Sequence, residues 1–138
     1  MTSHATLPSL ARHALVQITD DMSVSDALAV VRSHRVHHLP VTHGQTLVGI
    51  LCSCDLHAAL TSKSVSAIMK TPVVALDREA SLLDAVSTMS DHHVGSVVLT
   101  DRGRACAVVT RADLLLAHPE LAPLFVADSP DGCQASAG

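Results

Sequence analysis

This chain repeats itself, and the repeat limits its possible folds more than any other feature. Sliding the sequence by 58 positions lays Asp26 on Asp84, Ala27 on Ala85, His34 on His92 and Val36 on Val94 (84 − 26 = 58). Thr42 falls on Thr100, Asp55 on Asp113 and Leu56 on Leu114. No gap is needed between "ALVQITDDMSVSDALAVV" and "PVVALDREASLLDAVSTM" or through the next two apolar runs. Shared order, spacing and apolar pattern make the chain two copies of one unit, at 7–60 and 65–118. The polar "TSKS" joins them, and residues 119–138 form a C-terminal extension that reads as largely disordered.

Each copy reads as β-α-β-β-α. A short apolar run, "ALVQI" or "PVVAL", is followed by Ser-x-x-Asp at Ser23/Asp26 and Ser81/Asp84, the signature of a capped helix start. Apolar Ala27, Leu28, Val31 and Ala85, Val86, Met89 follow at helical spacing. The helices should stop near "SHRVHH" and "SDHHVG". Two strands come next, "HHLPVT" to "TLVGIL" and "GSVVLT" to "ACAVVT", with Gly44 and Gly103 in the turns. A second helix starts in "CDLHAAL" and "RADLLLAH". A copy of about 50 residues would struggle to bury its sheet face alone. The expected fold is therefore α+β: two repeats with pseudo-twofold symmetry, sheets packed together and helices outside.

Composition narrows the function classes. Hydrophobic residues make up 48 % of the chain, with no Trp, no Tyr and one Phe, so the core must be built from Val, Leu, Ile, Ala and Met. The net charge is −4, with no basic stripe and no aromatic platform, which argues against nucleic-acid binding. No apolar run approaches the roughly 20 residues of a membrane span. The N-terminal "MTSHATLPSLARH" lacks the apolar stretch of a secretory signal, and four cysteines then fit a reducing cytoplasm. No nucleophile elbow, P-loop or dinucleotide fingerprint is present, so the reading is not an enzyme.

The repeated order resembles the CBS domain pair, or Bateman module. "VSAIMKTPVVAL" matches the family's opening pattern, with "LPSLARHALVQI" a worn version in copy one. "HLPVT" matches its second strand, and "GILCSCD" and "AVVTRAD" match its G-h-h-[ST]-x-x-D, where h is apolar. The resemblance covers about residues 7–118. It implies a regulatory or sensing module that takes an adenosine compound (AMP, ADP, ATP or S-adenosylmethionine) in a cleft between the repeats. It further implies a homodimer and an unidentified regulated enzyme or transporter, with no cofactor beyond the regulatory ligand.

Carried over residue by residue, the resemblance puts the better site in copy two. Asp113 would hold the ribose, since a carboxylate can accept from both hydroxyls of a diol. Thr110 would meet a phosphate or ribose oxygen, and Arg111 could reach phosphate. Thr71, Pro72, Val73, Ser96 and Val97 would flank the base. The weaker site in copy one comprises Cys52, Asp55, His13, Leu15, His38 and Leu39, with Ala14 beside them. Cys52 stands where the family prefers Ser or Thr, and a thiol is a poor cap, so Ser53 could cap a shifted helix instead. Copy two departs at Ala107, where the family has glycine and an extra methyl could crowd a close backbone approach. Without a ligand, T-x-x-D is simply a capping box, and the chain is then a structural dimerisation module. A third reading takes Cys52, Cys54 and His57 as metal ligands, although Cys52-x-Cys54 is not the usual zinc spacing.

Overall fold

The computed structural model describes residues 6–125. They form two compact units. One runs from Leu15 to Val73 and carries the first repeat's sheet; the other joins residues up to Ala14 to those from Val74 onward and carries the second repeat's sheet.

In the first-repeat unit, β1 (Ile18–Thr19), α2 (Val24–His34), β2 (His38–His43), β3 (Thr46–Cys52) and α3 (Ser53–Ala58) follow the expected order, and α4 (Val65–Ile68) closes it. The second-repeat unit begins with α1 (Leu7–Leu10) and continues with β4 (Ala75–Asp77), α5 (Leu82–His92), β5 (Ser96–Asp101), β6 (Arg104–Thr110) and α6 (Arg111–Ala117). Each unit has a three-stranded sheet with a parallel pair and an antiparallel hairpin, in the orders β1-β2-β3 and β4-β5-β6. The 58-residue offset survives in detail. Both hairpins carry a bulge at the same place, Val41/Thr42 and Leu99/Thr100, and their burial patterns are identical.

The short helices that precede the two repeats are exchanged. Leu7 of α1 is buried with Val97, Val109 and Leu114, in the second repeat's core. Val65 of α4 is buried with Ile18, Val24 and Leu56, in the first repeat's core. Each repeat's leader thus completes the core of the other repeat.

Local chemistry accounts for the element ends. Ser23 Oγ accepts from Asp26 N–H at 3.0 Å, while Ser81 and Asp84 make both bonds of a capping box. Both helices stop at a left-handed residue, Arg35 and His93, each at φ 54°. His34 and His92 turn Nδ1 to the carbonyls of Val30 and Thr88, four residues back.

The first strands are shorter than "ALVQI" and "PVVAL" suggest, and β1 is shorter than β4. In the second-repeat unit, Val98 N–H donates to the Val74 carbonyl, at the end of the ladder. The equivalent of Val98 is Pro40, which has no N–H to give, so β1 loses that rung. The start of the extension is ordered. Pro119–Leu124 form a 3₁₀ helix, and Leu121 is buried in the second repeat's core, which its apolar side chain rewards. The tail after Phe125, residues 126–138, was expected to be disordered and lies outside the described residues.

Candidate functional site

The site grows out of the junction where β6 ends and α6 begins. Thr110 keeps extended backbone as the N-cap of α6, and its hydroxyl oxygen accepts from Asp113 N–H at 3.1 Å. Asp113 reaches back, so that Oδ2 accepts from Thr110 N–H at 2.9 Å. Asp113 is 2 % exposed, an unusual burial for a carboxylate. Its other oxygen, Oδ1, accepts from Arg12 Nε at 2.7 Å, a short charge-assisted bond. Arg12 comes from the exchanged leader, just past α1.

The junction of β3 and α3 repeats this plan incompletely. Cys52 is the N-cap of α3 and makes no capping bond with its side chain. Ser53 does not take over: it is the first residue of the helix, and its hydroxyl lies 3.3 Å from His37 Nδ1. Asp55 Oδ2 is buried and receives no hydrogen bond from the described residues. Lys70 Nζ stands 3.7 Å from it, an ion pair beyond hydrogen-bond reach. Arg12 and Lys70 are the same position of the repeat, one in each leader. Neither was singled out from the sequence. The repeat offset was the available signal, since it aligns the two cations as it aligns Asp55 with Asp113.

The other expected residues divide. Ser96 opens β5 directly opposite Thr110 in the ladder, and Arg111 follows Thr110 with its N–H bonded to the Gly95 carbonyl at 2.9 Å. The second-repeat unit therefore gathers Ser96, Thr110, Arg111 and Asp113, with Arg12 added. Val97 was expected to flank a base, but it is fully buried in the core, as is its counterpart Leu39. Strand alternation turns both side chains inward. Thr71 and Pro72 are exposed, Val73 is half-buried, and all three belong to the first-repeat unit. His13 and Ala14, both exposed, belong to the second-repeat unit, while half-buried Leu15 opens the first. His38 pairs across the ladder with Cys52.

The metal reading gains nothing from the geometry. Among the described residues, no group of three His, Cys, Asp or Glu side chains is placed to share an ion. His57 Nδ1 is committed to the Ser53 carbonyl of its own helix at 2.7 Å. Burial raises the pKa of the Cys106 thiol, against the opposing pull of Arg78. A cavity of about 420 Å³ in the second-repeat unit lies among Leu7, Leu10, Arg78, Ser81, Leu82 and His118, and none of the expected site residues lines it.

Comparison with known proteins bears on the fold and the family. The sequence model of the CBS domain matches residues 9–62 and 65–120. A CBS domain-containing protein of Dictyostelium discoideum is 30 % identical over 120 residues, covering 74 % of this chain and 83 % of the relative. YhcV, a CBS domain-containing protein of Bacillus subtilis, is 24 % identical over 103 residues, covering 70 % and 74 %. Other relatives are longer: the chain spans 45 % of a 33.4 kDa protein from a ribosomal RNA operon of Thermofilum pendens, and 22 % of a homoserine O-acetyltransferase of Methanocorpusculum labreanum. Among solved structures, the CBS domains of a transcriptional regulator from Streptococcus pneumoniae superpose with a TM-score of 0.70 at 20 % identity, covering 83 % of this chain and 99 % of that one. The CBS domain pair of protein MJ0100, solved with 5′-methylthioadenosine and S-adenosyl-L-methionine, superposes at 0.73 with 21 % identity, covering 84 % and 97 %. The doubled β-α-β-β-α order and the two matched segments make this chain a member of the CBS domain family, carrying two such domains in tandem.

Proposed function

We propose that this chain is a regulatory sensor that binds an adenosine compound at the second-repeat junction. The observation that carries this reading is the buried Asp113 carboxylate at a helix start, held in a capping box with the Thr110 hydroxyl. A carboxylate has about four acceptor positions, and Thr110 N–H and Arg12 use two of them. The ribose diol supplies two donors of the kind that can use the others once the Arg12 guanidinium moves aside. Thr110 keeps its hydroxyl proton for a phosphate or ribose oxygen, since in the capping box it acts only as an acceptor. The MJ0100 pair, with its adenosine-derived ligands, supports this ligand class. Ser96 and Arg111, in the same unit as Asp113, join the site in this proposal. The Asp55 junction is a second, weaker site, because Cys52 offers no cap and no hydroxyl.

The test is calorimetric titration of AMP, ADP, ATP and S-adenosylmethionine into nucleotide-free protein. Binding of at least one below millimolar is expected. Binding of none would leave a purely structural module. The absence of Trp and Tyr helps, because bound nucleotide would dominate the absorbance near 260 nm.

A further inference from the structure

The Arg12–Asp113 pair has a consequence for ligand choice, which rests on the adenosine reading above. We propose that Arg12 is a specificity-determining gate that makes the Asp113 junction prefer phosphorylated adenosine ligands over uncharged ones.

Arg12 Nε lies 2.7 Å from Oδ1 of a carboxylate whose side chain is only 1 % exposed. The Arg12 side chain itself is 37 % exposed, so the guanidinium caps the carboxylate from the solvent side. A diol cannot reach Oδ1 freely while Arg12 is there, so binding displaces or tilts the guanidinium. That movement separates a cation from its buried partner, which is unfavourable unless another anion takes the cation. A nucleotide phosphate is such an anion, and guanidinium binds phosphate in a fork geometry. An uncharged nucleoside opens the same pair and offers no replacement. The gate therefore works against uncharged ligands and is offset by phosphorylated ones. Lys70 cannot gate Asp55 in the same way, because its ammonium stands 3.7 Å off and leaves Oδ2 without a hydrogen bond.

Calorimetry of the full chain, in an Asp55→Ala background so that the Asp113 junction alone reports, tests this with two probes. AMP and 5′-methylthioadenosine share adenine and ribose and differ in the phosphate. With Arg12 present, AMP should bind at least about 10-fold tighter, the scale of one charge-assisted contact. Arg12→Gln should weaken AMP by roughly 10-fold and tighten 5′-methylthioadenosine severalfold, since the gate is gone. Arg12→Lys keeps a cation and should retain a preference for AMP; it also keeps the inference testable if Arg12→Gln folds poorly by circular dichroism. Equal weakening of both probes by Arg12→Gln, or no change in either, would overturn the gate while leaving the adenosine reading intact. Binding of neither probe to any form overturns the adenosine reading and the gate with it.

Discussion

Asp55 and Asp113 occupy the same place in the repeat, yet their surroundings differ. Asp113 accepts two hydrogen bonds, from Thr110 N–H and Arg12, and Asp55 Oδ2 accepts none among the described residues. Removing a buried acceptor leaves its donors unsatisfied, whereas Asp55 Oδ2 holds only a 3.7 Å ion pair with the exposed Lys70, whose loss leaves no buried donor unsatisfied. Asp113→Ala should therefore lower the unfolding free energy by about 1–3 kcal/mol. Asp55→Ala should cost less than about 1 kcal/mol. Urea unfolding of the two variants measures the contrast, and equal losses would show that the hydrogen bonds do not set it. The sequence showed Thr110 and Asp113 as both cap and candidate ligand, because T-x-x-D is a local pattern. It did not show Arg12, because a contact across 101 positions leaves no mark on local periodicity. Nor did it show that Val97 and Leu39 face inward, which depends on strand phase.

At the scale of elements, the two copies balance each other's volumes. Gly49 is tight because of its neighbours: a Cβ there would lie 2.6 Å from Met69 Sδ and 3.2 Å from the Lys70 carbonyl. The same position in the other copy is Ala107, and the residue matching Met69 is Ala11, which packs against the same core as Ala107. Alanine at 107 is thus matched by a small leader residue, and its methyl is buried in the second repeat's core. The sequence showed Ala107 as a departure from the family glycine and did not show the matching small residue, which lies in the exchanged leader. Gly49→Ala should cost about 1–3 kcal/mol by overpacking. Adding Met69→Ala should recover part of that loss, with a coupling on the order of 1 kcal/mol in a double-mutant cycle. Strict additivity would contradict the packing account. The β-α-β-β-α order was legible, since apolar period and caps are local, whereas the one-turn leader helices α1 and α4 and the 3₁₀ turn after α6 were not. The shortening of β1 was not, because it comes from Pro40 on a neighbouring strand.

At the scale of the whole molecule, the repeat set the element order of both units, and only the structure revealed that the leaders are exchanged. Among the described residues, no helix is long and apolar enough to cross a membrane. The family resemblance implies a homodimer, and Leu83 of α5 and Leu116 of α6 are exposed apolar side chains that such an association could cover. Sedimentation across micromolar concentrations should give a dimer mass, and a strictly monomeric mass would contradict it. The central claim, that an adenosine ligand is held through Asp113, is tested most directly by titrating AMP into nucleotide-free wild-type protein, Asp113→Ala and Asp55→Ala, each checked for folding. Asp113→Ala should lose about 1.5–3 kcal/mol of binding, roughly a 10- to 150-fold drop in affinity, and Asp55→Ala should lose less. AMP binding that survives Asp113→Ala and disappears with Asp55→Ala would contradict the account.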